Sequence, residues 1–252
     1  MSVEEVIARP GLRMMVVADI PSPWGEAAKG IFHVKGLDWA AVRLTYDSEP
    51  LRQWTGGQRS GPVVVYENEK PRSGWAEILL LAERLATSPR LIPEDPAERA
   101  LMFGLAHEIL GESGLCWSRR LQAIHAGLEG RGGFPEKVAR YLGRKYGYEA
   151  VTGEAAAARV AELLAMLSAR LKAQRIAGSS YFLGTALTAV DIYSATACAM
   201  FAPLPEDQCR MDPTMRKVFE TSDAITRAAL DPILLEHRDM MYTRHFELPL
   251  SL

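Results

Sequence analysis

Apolar residues follow two rhythms along this chain, and the change falls near residue 88. Before it, short strand-like and helix-like patterns alternate. Leu12-Arg13-Met14-Met15-Val16-Val17-Ala18 is an apolar run of strand length. Gly25 to Lys35 carries Ala27, Ala28, Ile31, Phe32 and Val34 at mostly helical spacing, and Gly36 supplies a stop. Ala41 to Tyr46 alternates as a strand does, and Leu51 to Gly57 reads as a short helix or loop. Pro62-Val63-Val64-Val65-Tyr66 is a strand, Glu67 to Lys70 a turn, and Pro71 keeps the strand after it short. From Gly74, the residues Trp75, Ile78, Leu79, Leu81, Ala82 and Leu85 predict a helix with a wide apolar face. The order is β-α-β-α-β-β-α, a compact α/β unit spanning residues 1–87.

Residues 88–96 contain three prolines and read as an interdomain linker. Beyond them every strong pattern is helical, so residues 97–252 are expected to form an all-helical domain. Asp95-Pro96 is a cap-and-start signal for a helix through Met102, Leu105, His107 and Ile109, extending as far as Gly127. Val160, Leu163, Leu164, Leu167 and Leu171 form an i, i+3, i+4, i+7 stripe within an expected helix from Ala155 to Gln174. Asp191 to Phe201 is apolar on nearly every side, the mark of a buried central helix. Asp212-Pro213 and Asp231-Pro232 start two more helices.

Composition removes several function classes. A net charge of −2 gives no global electrostatic case for nucleic acid or an anionic membrane. No run approaches the roughly 18 apolar residues that a membrane helix needs, and the acidic start Met1-Ser2-Val3-Glu4-Glu5 does not resemble a secretory signal. Cys116, Cys198 and Cys209 lack metal-ligand spacing and are odd in number, so a reducing, cytoplasmic setting with inert thiols and no bound metal is expected.

The candidate chemistry starts at Pro21-Ser22-Pro23-Trp24. Ser22 stands where an N-cap belongs and Pro23 at the first helical position. A hydroxyl between strand end and helix start lies beside unpaired N–H groups and the positive end of the helix dipole. Such a place suits an anion or a thiolate.

Three patterns in this order resemble the glutathione S-transferase superfamily. Ser22-Pro23-Trp24 is similar to the Ser-Pro-aromatic or Cys-Pro-aromatic start of helix 1 in the tau and omega classes. Gly61-Pro62-Val63-Val64 stands where the family's thioredoxin-like domain carries a cis-proline. Thr188 to Asp191 resembles the family's capping box at the central helix. The resemblance implies a thioredoxin-like α/β domain followed by a helical-bundle domain, with glutathione as co-substrate and a small hydrophobic electrophile as second substrate. Ser22 would then be the catalytic hydroxyl on the glutathione sulfur, the alternative being that it only caps the helix. The residues implied to bind glutathione are Gly61, Pro62 and Ser73, and Arg59 with its neighbour Gln58 is a candidate for the glycyl carboxylate, against the reading of that pair as an ordinary surface loop. Trp24, His107 and Trp117 are candidates to line the electrophile pocket, with core or interface packing as the alternative for His107 and Trp117. A homodimer is expected on the same basis.

The match departs from the family at Arg72-Ser73, where an acid normally precedes the serine and meets the γ-glutamyl ammonium. Arg72 is a candidate grip on a carboxylate and Glu77 a candidate for the ammonium, against a solvated Arg and an ordinary surface Glu. A non-catalytic interaction module of the same fold, or a glutathione-dependent isomerase or dehalogenase, are the competing functions. Tyr46 and Tyr66 fall on strands away from the first helix, which argues against either replacing Ser22. The basic and aromatic residues from Arg140 to Tyr148 read as a solvated helix face rather than an RNA site. His237-Arg238-Asp239 follows a helix start, with no glycine-rich phosphate loop elsewhere, so its likeness to a kinase loop is one of letters only.

Overall fold

The computed structural model describes residues 3–251. Strand β1 (Leu12–Val16) is the centre of a three-stranded sheet. Strand β2 (Trp39–Arg43) runs parallel to it on one edge, and strand β3 (Val63–Tyr66) antiparallel on the other, with Met14 opposite Ala41 and Val64. Both faces of β1 are covered, because Leu12, Arg13, Met14 and Met15 are all buried. That explains a continuous apolar run where a half-exposed strand would alternate. The charged group inside the run is held by hydrogen bonds: the Arg13 guanidinium donates to the carbonyls of Ile7, at 2.6 Å, and Glu67. The expected fourth strand is reduced to one bridge, in which Arg72 and Val64 exchange backbone hydrogen bonds of 2.8 and 2.9 Å.

Helix α1 (Val3–Ala8), which the sequence patterns did not signal, covers one face of the sheet together with α3 (Glu49–Trp54). Val6, Met15, Ala40, Val42, Leu51 and Val63 form the small core there. Helices α2 (Pro23–Val34) and α4 (Trp75–Leu85) cover the other face, and their apolar residues merge with those of the helical part in one larger core.

The expected single helix from Pro96 to Gly127 is two, α5 (Pro96–Leu110) and α6 (Leu115–Leu128). Glycines make the break. A Cβ on Gly114 would lie 2.7 Å from the His107 carbonyl oxygen and 2.8 Å from that of Glu108. The chain therefore folds back against the last turn of α5, with Ser113 at φ 61°. Helix α7 (Glu136–Lys145) packs on α6, and α8 (Ala150–Ile176) lies against α6 with its leucine stripe buried. Helix α9 (Ala189–Cys198) is buried at every residue and touches α2, α5 and α12. Helices α10 (Pro213–Glu220), α11 (Ala224–Ala229) and α12 (Pro232–His245) complete the fold, with Asp212, Asp223 and Asp231 accepting hydrogen bonds from their first turns.

At the start of α9, one Asp191 carboxylate oxygen accepts from the N–H and the hydroxyl of Thr188, at 2.8 and 2.9 Å. The other accepts from Phe182 N–H at 2.8 Å and contacts His237 Nε2 at 3.1 Å. His237 is thereby the first residue of a packing contact, not of a catalytic loop. The proline-rich stretch 88–96 is not a loose tether. Leu91 is fully buried, its N–H donates to Glu83 at 2.9 Å, and its carbonyl accepts from Ala189 N–H at 3.0 Å.

Among the described residues no helix is long and apolar enough to cross a membrane, and no group of His, Cys, Asp or Glu is arranged to hold a metal. All three thiols are buried. Burial pushes the Cys198 thiol up to about 11 and the Cys116 thiol further still. An aromatic disulfide reagent at pH 7.5 is therefore expected to label none of the three within minutes in the native protein and all three in denaturant. Rapid native labelling of any one of them would contradict this arrangement.

Candidate active site

Strand β1 ends at Val16 and the chain reaches α2 through Ile20, Pro21 and Ser22. Ser22 is the N-cap of α2, in extended geometry (φ −65°, ψ 124°), and its carbonyl accepts from Glu26 N–H at 2.8 Å. Its hydroxyl makes no capping hydrogen bond. Pro23 at the first helical position has no N–H to satisfy, which removes one demand on the cap. A nearly buried hydroxyl thus stands at a helix N-terminus without an intrahelical task.

That hydroxyl opens on a cleft of about 1140 Å³ between the sheet end and helices α5, α6 and α7. The peptide bond between Gly61 and Pro62 is cis, and both residues line the same cleft as Ser22. Glycine suits the position because a Cβ there would lie 3.1 Å from the Met15 carbonyl oxygen. The loop approaches β1 too closely for a larger residue to enter without displacing backbone.

Most of the residues expected from sequence meet in this cleft: Ser22, Trp24, Gln58, Arg59, Gly61, Pro62, Ser73, His107 and Trp117 all line it. Arg72 and Glu77 are not among its lining residues. Because Arg72 is held by backbone pairing to β3, its side chain is carried toward the Glu67–Lys70 turn. There it donates to Glu69 at 2.6 Å, beside Arg84, and to the Lys70 carbonyl at 3.3 Å. The two guanidiniums hold the Glu69 carboxyl below the usual carboxylate range. Glu77 instead folds back on its own helix: it accepts from Gly74 N–H at 3.4 Å, and Gly74, not Ser73, is the N-cap of α4. Both side chains are thus engaged outside the lining of the cleft.

The helical wall was only partly anticipated. Trp24 joins the two walls, its indole N–H donating 2.8 Å to the carbonyl of Leu110 at the end of α5. Arg120, on α6, lies over the Trp24 ring at 4.8 Å and the Tyr146 ring at 5.0 Å, and donates to the Tyr146 hydroxyl. Trp117 meets Tyr146 edge-to-face at 4.9 Å. From α7, Tyr141 and Lys145 also face the cleft. Lys145 donates to the Arg59 carbonyl at 3.4 Å, and its ammonium is pushed below the ordinary lysine value by burial and by the Arg120 charge. The basic-aromatic segment expected to be a solvated face is therefore partly a cleft wall.

Tyr46 also differs from expectation. Strand β2 stops at Arg43, so Tyr46 lies in the loop beyond it, at the cleft and against Tyr141 at 6.2 Å. Partial desolvation and the neighbouring Tyr141 phenol hold its phenol above the ordinary value, in its protonated form.

No protein-family model matches this chain, and no curated protein matches it. Solved structures do. A glutathione S-transferase from Methylobacterium radiotolerans, in complex with glutathione sulfonate, is 18% identical, covers 92% of this chain and 91% of its own, and superposes with a TM-score of 0.64. A glutathione S-transferase from Methylobacillus flagellatus with glutathione bound is 14% identical, with coverage of 92% and 95% and a TM-score of 0.63. The β-etherase LigF from Sphingobium is 14% identical, with coverage of 91% and 99% and a TM-score of 0.58. The likeness runs through nearly the whole chain. Its fold is that of the glutathione transferases, a thioredoxin-like α/β unit followed by a helical bundle.

Proposed function

We propose that this protein is a glutathione transferase that activates the glutathione thiol for attack on small hydrophobic electrophiles. The observation that carries the reading is the Ser22 hydroxyl, free of any capping bond at the N-terminus of α2 and opening on the cleft beside cis-Pro62. Similar solved structures hold glutathione or glutathione sulfonate, which supports the same co-substrate here.

The energetics are sufficient. A free thiol ionises near pH 8.5. Lowering that by one to two units needs about 1.4–2.7 kcal/mol. A hydrogen bond to a charged group contributes about 1.5–3 kcal/mol, and the helix dipole adds a few tenths to about 1 kcal/mol. Ser22 would donate to the thiolate, and the thiolate would attack the electrophilic carbon. With a chloroarene the C–S bond forms, the C–Cl bond breaks, chloride leaves with the bonding pair, and the thiol proton passes to solvent. A hydroxyl at this position cannot form a mixed disulfide with glutathione, so addition or substitution is favoured over deglutathionylation. The backbone beside cis-Pro62, with Ser73 and Arg59, would hold the tripeptide, and Trp24, His107 and Trp117 would face the electrophile.

The second reading is a non-catalytic module of the same fold. Arg72, tied to Glu69 where the family's acid would stand, favours it by removing the expected partner of the γ-glutamyl ammonium. The proposed function predicts retention on immobilised glutathione and turnover of chlorodinitrobenzene at millimolar glutathione. No binding and no turnover at that concentration would establish the second reading instead. A two-fold dimer fits the same proposal, and light scattering at micromolar concentration tests it.

A further inference from the structure

Two adjacent arginines of α6 have opposite fates. Arg119 is buried and fully engaged: it donates to Gln122 at 2.7 Å and to the carbonyls of Phe219 and Thr221 at 3.1 and 2.7 Å. It holds α6 against the end of α10. Arg120 points the other way, into the cleft, where its guanidinium lies between the Trp24 and Tyr146 rings. The Tyr146 hydroxyl accepts one hydrogen bond from it, yet its Nε is buried with no hydrogen-bond partner. No ion pair to Arg120 is found among the described residues.

The surrounding charge does not compensate. Arg59, Lys137 and Lys145 line the same cleft, against Asp47 and Glu112. A guanidinium stays charged at any physiological pH. Leaving such a charge half-desolvated and unpaired is unfavourable, and an anion placed against it relieves that cost with charge-assisted, often bidentate, hydrogen bonds. The flanking walls are aromatic: Trp24, Trp117, Tyr46, Tyr141 and Tyr146. A ligand matching both features is a flat aromatic body with an acidic group.

We infer that Arg120 is a specificity-determining residue of the electrophile site and selects aromatic substrates that carry an anionic group, such as an aryl carboxylate or sulfonate. This rests on the transferase reading for its chemistry, but the recognition itself is measurable without glutathione. The experiment compares two fluorescent naphthalenes of similar size: anilinonaphthalenesulfonate, which is anionic, and N-phenylnaphthylamine, which is neutral. Each is titrated into the wild type, Arg120→Gln and Arg120→Lys.

Arg120→Gln is expected to weaken the sulfonate by about tenfold or more, as loss of one charge-assisted contact does, and to change the neutral probe by less than about twofold. Arg120→Lys is expected to restore part of the sulfonate affinity. Equal weakening of both probes would mean that Arg120 only packs the wall, and unchanged sulfonate binding would mean that it does not meet the anion. Either result overturns the inference. A parallel kinetic arm uses chlorodinitrobenzene against chloronitrobenzoate, and Arg120→Gln should raise KM for the benzoate alone. If neither compound is turned over by the wild type while the probe selectivity holds, the transferase reading fails and the anion site stands.

Discussion

Replacing Ser22 with alanine is expected to lower kcat/KM for conjugation about 10- to 100-fold near pH 6.5. The figure follows from the roughly 1.5–3 kcal/mol that one hydrogen bond to a charged group contributes. The sign is fixed by which form Ser22 stabilises. A donated hydrogen bond favours the thiolate and so lowers the pKa of bound glutathione. Its removal lets that pKa rise toward about 8.5, the free thiol value. The acid limb of the pH–rate profile should therefore move up by one to two units, and the variant and the wild type should converge in alkali, where both thiols are ionised. Ultraviolet difference absorbance of the bound thiolate measures the same shift without turnover.

A structural role would look different. Because the hydroxyl makes no capping bond, Ser22→Ala should leave the melting temperature nearly unchanged, whereas loss of a true cap costs about 1 kcal/mol. Wild-type turnover together with a wild-type thiol pKa would remove Ser22 from the mechanism.

The largest expected loss of stability lies far from the cleft, at Asp191. Substitution by alanine strands the N–H groups of Phe182 and Thr188 and the Nε2 side of His237, all of them inside the core. Each unsatisfied buried group costs about 1–3 kcal/mol, so stranding three of them together costs several kcal/mol. For a chain of this size that corresponds to a melting point lower by on the order of 10 °C. Thermal unfolding followed by circular dichroism tests it, and a shift below about 2 °C would show that the network is not what seats α9. Below its melting point the variant should keep the wild-type thiol pKa, since Asp191 does not line the cleft.

The fold was legible where local chemistry and tertiary role coincide. Ser22-Pro23 followed by apolar residues at helical spacing is a local helix-start signal, a cis bond in that loop had to be at Pro62, and Thr188 and Asp191 are close enough in sequence to be read as a unit. The place of Ser22, at the head of α2 and on the cleft, was legible for the same reason.

The rest depended on contacts between distant segments. Arg120 and Tyr146 meet only because α6 packs on α7, and no spacing rule links residues 26 positions apart. The interleaved tyrosines and basic residues of α7 were a signal, but their pattern fits a solvated face equally well until α6 is in place. Tyr46 was misplaced by a strand end: β2 stops three residues sooner than the alternation suggests, which turns a sheet residue into a loop residue. The break after Leu110 was hidden because Gly111 and Gly114 are tolerable within a helix, and it is their closeness to the α5 carbonyls that requires them.

Leu91 and Trp24 together determine how the cleft behaves when a ligand arrives. Leu91 is wedged at the joint, linked to α4 through Glu83 and to α9 through Ala189. Trp24 ties α2 to the end of α5 across the site itself. A hinge between the two halves would have to break both connections and expose a core side chain. The cavity is accordingly a standing one, and capture of a ligand carries no charge for closing a jaw. Discrimination between ligands then falls to the fixed shape and polarity of the walls, with little left for an ordering transition to contribute.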